Sequence, residues 1–227
     1  MPPTERALRF VASPSVGEVS AVLTRPPNAT ALLVLAHGAG ADMHHRFMVQ
    51  MTEALAERRL AVLRYQFPYT EAGRKRPDPQ PRLLATVRAA VAQGRRLSEG
   101  LPLLAGGKSM GGRMTSIAAS QEPLPEVRGI AFLGFPLHPA GKPGVERAEH
   151  LRAVSVPMLF VQGPRDKLAE PSLLRPVLEG LPRARLHDVP DGDHSFAVRK
   201  TRGHDPAAVI PGIADAVAAW ASEVIAG

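Results

Sequence analysis

The sequence predicts an α/β fold in which a mostly parallel, doubly wound sheet is covered by helices on both faces. From Ala31 onward, strand-like segments alternate with helix-like segments, which is the pattern of successive β-α-β units. The strand-like segments are continuously apolar, as expected for strands buried on both faces. The 227 residues are enough for one core of this kind and few for two. We therefore expect a single domain spanning residues 1–227.

The first part of the chain predicts a hairpin followed by a β-α-β unit. ALRFVAS (7–13) and EVSAVLTRP (18–26) are joined by a short turn with no helix between them, so they predict an antiparallel hairpin at the sheet edge. ALLVLAH (31–37) predicts a buried strand. Apolar residues at helical spacing predict a helix over 45–59, and LAVLRYQF (60–67) predicts the next strand.

The rest of the chain repeats the alternation. Two proline-rich segments, RKRPDPQP (74–81) and FPLHPAGKPG (135–144), predict loops, and neither is long enough to form a lid domain. Each remaining helix shows apolar residues three and four apart, and each remaining strand is a short apolar run. The predicted helices are 82–97, 110–121, 170–180 and a C-terminal helix through Trp220, and the predicted strands are 101–107, 127–135, 156–163 and 184–190.

Composition narrows the classes of function. No continuous apolar run approaches the roughly 18 to 20 residues that cross a bilayer, and the N-terminus lacks the apolar region of a secretion signal. We therefore expect a cytoplasmic protein without a membrane partner. The absence of cysteine excludes disulfides and thiolate chemistry. The net charge of +7 is concentrated only in GRKRP (73–77), and aromatic residues make up 4% of the chain, so we expect no nucleic-acid partner.

A glycine-rich segment, LLAGGKSMGGRM (103–114), follows a predicted buried strand and raises two alternatives. A phosphate loop needs a glycine five residues before Gly107, and Pro102 stands there. A dinucleotide-binding fingerprint at GAGADM (38–43) also fails, because Met43 occupies the place of the third glycine. These mismatches argue against a nucleotide cofactor, and we expect none.

The second alternative is a nucleophile elbow. Gly107, Ser109 and Gly111 fit the pattern G-x-S-x-G, and the serine stands between a predicted strand and a predicted helix. In an elbow the sharp strand-to-helix turn exposes the serine hydroxyl at the carboxyl edge of the sheet, and the glycines allow neighbouring chain to pass closely. The pattern therefore indicates Ser109 as a nucleophile, although a small turn residue is the plainer interpretation.

A serine nucleophile needs an acid and then a histidine downstream, each in a loop that follows a strand. Asp166 follows the predicted strand 156–163, and Glu170 is its competitor. His194 follows the predicted strand 184–190. Two other histidines compete, but His187 lies within that strand and His204 lies beyond the loop. Asp191 and Asp193 are too close in sequence to reach the far ring nitrogen of His194, and we expect them to cap the loop.

The same chemistry needs two N–H donors for a developing oxyanion. We assign them to the backbone amides of Met110, directly after the serine, and of Ala39, in the small-residue loop after strand 31–37. Phe67 and His138 also follow strands at this edge, and we expect them to line the substrate site. Packing and loop structure are the alternatives for these two residues.

The neighbouring His44 and His45 suggest a metal only superficially. Neighbouring side chains on a helix point apart, and no H-E-x-x-H pattern or third ligand accompanies them. Capping of a helix after Asp42 is the better interpretation. We expect no metal.

Six blocks of the sequence together carry a family resemblance, namely HGAGADMHHRFM, RYQFPY, GGKSMGGRM, LGFPLHPAGKP, FVQGPRD and DGDHSF. Through them the chain resembles an α/β-hydrolase of the compact, lidless dienelactone-hydrolase-like group, and more narrowly the bacterial relatives of testis-expressed protein 30 and non-specific-lethal complex subunit 3. The similarity begins near Ala31 and extends over nearly all of the following chain. It implies an α/β-hydrolase fold with Ser109, Asp166 and His194 as a triad. The cysteine nucleophile of true dienelactone hydrolases is absent.

These observations favour a serine hydrolase that acts on a small-molecule ester or thioester through an acyl-enzyme. A binding or scaffold protein that keeps the fold is the alternative, because some members of the resembled family are scaffolds. A scaffold has no chemical reason to keep all three residues of a triad. A peptidase or lipase is less favoured, because no insertion of lid size follows LGFPLHP.

Overall fold

An eight-stranded sheet forms the centre of the computed structural model, which describes residues 1–199 and 203–227. The strands are β1 (Thr4–Ser13), β2 (Gly17–Arg25), β3 (Ala31–Ala36), β4 (Leu60–Tyr65), β5 (Leu103–Lys108), β6 (Val127–Leu133), β7 (Met158–Gln162) and β8 (Ala184–Asp188). The helices are α1 (Arg46–Glu57), α2 (Pro68–Glu71), α3 (Gln80–Ser98), α4 (Met110–Gln121), α5 (Pro171–Glu179) and α6 (Pro206–Ala226), with a 3-10 helix at Glu146–Ala153.

The sheet is mostly parallel, with the strand order β1-β2-β4-β3-β5-β6-β7-β8. The β1–β2 hairpin is antiparallel and joins the sheet through an antiparallel pairing of β2 with β4, whereas β3 to β8 run parallel. This confirms the predicted fold class and the predicted N-terminal hairpin. Because the strands are parallel, the loops after β3, β5, β6, β7 and β8 meet at one edge of the sheet, where binding sites of such folds lie.

Burial on both faces of the sheet explains why the sequences of the strands are continuously apolar. On β3, Leu32 and Val34 pack into the core on one face, and Leu33 and Leu35 pack into the core on the other. Side chains of a strand alternate between faces, so a strand covered on both sides needs an apolar residue at every position. Residues of α3, α4 and α5 belong to the first core, and residues of α1 and α6 belong to the second.

Two short helices lie in connections for which the sequence predicted no helix or strand. Pro68 begins α2, where its missing N–H costs no helix hydrogen bond. The 3-10 helix follows the segment 134–145, and this connection between β6 and β7 carries no lid domain in the described part of the chain. The absence of a lid leaves the carboxyl edge of the sheet open above β5.

Helix α6 differs from the expectation that no apolar segment is long enough for a membrane. It has 21 residues and a mean hydropathy of 1.5 over its most apolar stretch, so length and composition alone would allow a span. In the fold, Ile213, Val217 and Trp220 are buried against the sheet. Only 28% of this apolar stretch is buried, and a single helix of this kind is weak evidence for a membrane span.

Candidate active site

Ser109 lies at the abrupt turn from β5 into α4. Its backbone φ of 50° and ψ of −116° place it in the left-handed region, which costs a non-glycine residue about 1–3 kcal/mol. The Ser109 amide donates to the carbonyl of Leu133 on β6 at 3.1 Å, which ties the strained turn to the sheet. Strain of this kind persists only where neighbouring structure enforces it. The turn presents the serine at the carboxyl edge of the sheet.

The glycines on either side of Ser109 are required by close backbone contacts. A Cβ atom at Gly107 would lie 2.6 Å from the carbonyl oxygen of Ala36, and one at Gly111 would lie 2.5 Å from the carbonyl oxygen of His37. Contacts this short with backbone atoms cannot be relieved by rotating a side chain. The G-x-S-x-G pattern therefore reflects the passage of the β3 chain directly against the turn.

The structure brings Ser109, His194 and Asp166 into one chain of hydrogen bonds. His194 Nε2 lies 2.8 Å from Ser109 Oγ, and His194 Nδ1 lies 2.7 Å from Asp166 Oδ2. The aspartate follows β7, the histidine follows β8 and the serine follows β5, so three loops at the same sheet edge supply the three groups. The His194 side chain keeps 27% of its surface exposed, and this leaves one side of the imidazole open to a bound molecule.

The Asp166 carboxylate is held from three directions. It is 1% exposed, and its Oδ2 accepts from Gln162 Nε2 at 2.6 Å as well as from the imidazole. Its Oδ1 accepts from the Leu168 amide at 2.8 Å. Gln162 is fixed in turn, because its Oε1 accepts from the Phe135 amide at 2.9 Å. Sequence reasoning missed Gln162, for which a buried polar residue at the end of an apolar strand was the available signal.

The competing acids have other partners. Glu170 contacts His138 Nε2, not His194. Asp191 forms ion pairs with Arg165 and Arg199, and hydrogen bonds from Arg199 hold the pKa of the Asp191 carboxyl below its usual range. Asp193 Oδ1 accepts two backbone amides of its own loop, which is the capping role expected for it.

The other candidate histidines also lie elsewhere. His187 and His204 line a separate pocket against α6. His45 caps α1 and accepts the Phe47 amide at 3.3 Å, while the His44 amide donates to the Asp42 carboxylate at 2.8 Å. Among the described residues, 1–199 and 203–227, neither histidine belongs to a group of three potential metal ligands.

The loop after β3 orients the Ala39 amide through the carbonyl of Gly38. The Phe67 amide donates to His37 Nε2 at 3.1 Å, so that nitrogen is an acceptor and the proton of the neutral ring lies on Nδ1. His37 Nδ1 then donates to the Gly38 carbonyl at 2.9 Å, and the Tyr69 hydroxyl approaches the same oxygen at 3.5 Å. Because C=O and N–H point in opposite directions across a trans peptide, this turns the Ala39 N–H away from the core.

Burial keeps His37 in this neutral form. The ring is fully buried, and desolvation lowers its pKa to about 4.

Met110 begins α4, where the first amides of a helix have no partner within the helix. Within the described part of the chain, the Ala39 and Met110 amides donate to no protein acceptor. Both amides are thus available to a bound oxyanion.

A pocket of about 230 Å³ opens beside the serine. Phe67 and His138, which were expected to line the substrate site, are outside its lining. Phe67 is fully buried and packs edge-on against His37, while His138 is 1% exposed and contacts Glu170. As far as the structure describes the chain, the lining of a larger groove between the 3-10 helix and α5 contains no histidine that could activate a serine. The smaller pocket, beside the serine, is lined by Gly38, Ala39, Gly40, Ala41, His45, Phe47, Met48, Lys108, Ser109, His194 and Ser195.

Solved structures with the same fold include several hydrolases. A dienelactone hydrolase from Anabaena variabilis has 21% sequence identity and a TM-score of 0.76, with 97% of each chain covered. Est1E from Butyrivibrio proteoclasticus has 17% identity and a TM-score of 0.73, covering 97% of this chain and 99% of that one. The esterase domain of a Rhodothermus marinus protein has 18% identity and a TM-score of 0.72, covering 96% and 98%.

A family model supplies the stronger sequence evidence. The model, described as an alpha/beta hydrolase domain, matches residues 29–222, which is most of the chain. The matched segment contains the turn after β5 and the loops after β3, β7 and β8 that form the site. The chain therefore belongs to the alpha/beta hydrolase domain family.

Proposed function

We propose that this chain is a serine hydrolase that cleaves small esters or thioesters through an acyl-enzyme. The observation that carries the proposal is the hydrogen-bonded series from Ser109 Oγ through the His194 ring to the buried Asp166 carboxylate, at 2.8 Å and 2.7 Å. The strained backbone of Ser109 supports it, because strain of this kind concentrates at functional sites. Three groups so arranged are the parts that nucleophilic acyl transfer requires.

In the proposed reaction, Ser109 Oγ attacks the acyl carbon while His194 Nε2 accepts the hydroxyl proton. Asp166 accepts the Nδ1–H hydrogen bond, which fixes the ring tautomer and stabilises the imidazolium. The imidazolium then donates its proton to the leaving alcohol or thiol. Water attacks the acyl-enzyme by the same route, again giving its proton to His194, and Ser109 is regenerated.

The oxyanion of each tetrahedral intermediate is assigned to the amides of Ala39 and Met110. Both amides lack protein acceptors in the described residues, and Ala39 lines the pocket beside Ser109. The hydrogen bond from His37 to the Gly38 carbonyl holds the first of these donors in place before substrate binds. Such preorganisation is where much of the catalytic effect of an oxyanion site arises.

The size of the pocket supports a small acyl group. Its volume of about 230 Å³ is below the range usual for drug-sized ligands. An esterase or thioesterase is favoured over dienelactone hydrolysis, because the nucleophile is serine and not cysteine. Within the alpha/beta hydrolase domain family, we propose that the chain belongs with the bacterial relatives of testis-expressed protein 30 and non-specific-lethal complex subunit 3. We also propose a cytoplasmic location.

Hydrolysis of p-nitrophenyl acetate and labelling by a fluorophosphonate test the proposal. We expect the wild type to do both and Ser109→Ala to lose both while remaining folded. Ser172→Ala, at an exposed serine far along the chain from the elbow, is the matched control and should behave as wild type. A folded wild-type protein that neither labels nor hydrolyses would favour the scaffold alternative over catalysis.

A further inference from the structure

Lys108 connects the nucleophile strand to the histidine loop. It is the last residue of β5 and stands directly before Ser109. Its Nζ donates to the backbone carbonyl of His194 at 2.6 Å, across the sheet edge from β5 to the loop after β8. The two residues are 86 positions apart in sequence, so this contact exists only in the folded chain.

Two aromatic rings and a glycine enclose the ammonium group. Nζ lies 5.2 Å from the centroid of the Phe196 ring and 5.9 Å from that of Phe47, distances at which a cation is attracted to a ring face. The two rings stack at 5.8 Å. Gly134 provides the remaining space, because a Cβ atom there would lie 3.0 Å from Nζ. The position of the ammonium is therefore defined on several sides.

The ammonium has no ion-pair partner among the described residues, 1–199 and 203–227. Burial lowers the pKa of Lys108 to about 8, although the more distant Asp166 and Asp193 carboxylates oppose this effect. Besides these acids, two titratable groups line the same pocket as Lys108. They are His194 and His45, the residue that caps α1. A charge held in this place without a carboxylate partner needs a reason other than an ion pair.

We propose that Lys108 is a positioning residue whose side chain holds the His194 backbone so that the imidazole stays within reach of Ser109. The inference rests on the proposed function, and it gives a residue of the pocket lining a role that is exerted through the His194 backbone. Loops are more mobile than the strands that they follow, and the histidine stands on such a loop. A displacement of about 1 Å in a catalytic group can lower the reaction rate on the order of 100-fold. Loss of this hydrogen bond should therefore lower the rate by a large factor.

The charge of Lys108 gives the proposal a pH dependence. Hydrogen bonds from a charged donor are about twice as strong as those from a neutral one, and the attraction to the rings also requires the cation. As pH rises through about 8, the folded protein loses this proton, and the hold on His194 weakens. Activity should therefore fall in this range, whereas a hydrolase governed by an ordinary histidine, with a pKa near 6.5, stays on a plateau.

The experiment compares wild type, Lys108→Met, Lys108→Arg and the control Lys75→Met, which removes an exposed lysine. Fluorophosphonate labelling rates, and kcat and KM for p-nitrophenyl acetate, are measured from about pH 7 to about pH 10, with thermal unfolding alongside. We expect Lys108→Met to lose about 10- to 100-fold in kcat and in labelling rate, with little change in KM. Lys108→Arg should recover part of this loss and lack the alkaline decline, because a guanidinium keeps its charge.

Wild-type rates in a folded Lys108→Met would overturn the inference and leave the proposed function intact. Identical alkaline declines in wild type and Lys108→Arg would overturn it as well, and this comparison decides the matter if Lys108→Met does not fold. A wild-type protein that fails to label overturns the proposed function itself. The two failures are thus distinguishable.

Discussion

Replacing Asp166 by asparagine should separate the chemical role of the carboxylate from its structural role. Its Oδ2 accepts from Gln162 at 2.6 Å and from His194 at 2.7 Å, and its Oδ1 accepts from the Leu168 amide at 2.8 Å. An asparagine has only one oxygen. Whichever way the amide is oriented, its NH₂ group faces at least one of these donors.

The structure also sets the size of the effect. Gln162 cannot rotate to help without losing the bond from the Phe135 amide to its Oε1. A buried donor left unsatisfied costs about 1–3 kcal/mol of stability. With an NH₂ group at the Oδ2 position, the imidazole takes the tautomer that has its proton on Nε2, which cannot accept the serine proton. We expect kcat to fall about 10⁴-fold, as for the corresponding change in a serine protease triad.

A second substitution tests this reasoning. In Asp166→Asn combined with Gln162→Glu, the new carboxylate accepts from both the asparagine amide and the Phe135 amide. Urea unfolding should show most of the lost stability restored, while p-nitrophenyl acetate hydrolysis stays low because the tautomer is still wrong. Activity of Asp166→Asn within about tenfold of wild type would refute the assignment of this residue as the triad acid.

The glycine and oxyanion assignments give further predictions. Gly111→Ala, whose Cβ would meet the His37 carbonyl at 2.5 Å, should lower the free energy of unfolding by at least about 2 kcal/mol in urea titrations. Gly212→Ala in α6 meets no atom of the described residues within 4 Å and should raise the free energy of unfolding by about 0.5–1 kcal/mol, so equal effects would contradict the argument. His37→Leu frees the Gly38 carbonyl and should lower kcat about 10- to 100-fold with little change in KM, whereas Tyr69→Phe should have a milder effect. An unchanged kcat in folded His37→Leu would disprove the role of His37.

The strand and helix positions could be read from the sequence because their cause is local. A strand buried on both faces must be apolar at every position, as Leu32 to Leu35 are on β3. Parallel strands also bring the loops after them to one edge, so Ser109, Asp166 and His194 could be expected near each other before any geometry was known. The short helix α2 lacked such a signal, because four residues show no period.

Side-chain direction beyond a strand end could not be read in this way. Phe67 and His138 both follow strands at the correct edge, but the backbone turns that they occupy direct Phe67 into the core and His138 toward Glu170. Gln162 and Lys108 present the opposite case. Lys108 contacts His194, which is 86 residues away. Gln162 links Asp166 to Phe135, which is 27 residues away from Gln162, so no local pattern in the sequence encodes these arrangements.

The most direct test of the central claim is to locate the covalent adduct. Wild-type protein is treated with a fluorophosphonate, digested and mapped by mass spectrometry. The account predicts one adduct per chain, on the peptide that contains Ser109. An adduct at another residue, such as Ser195 in the same pocket, or a folded chain that acquires none, would contradict it.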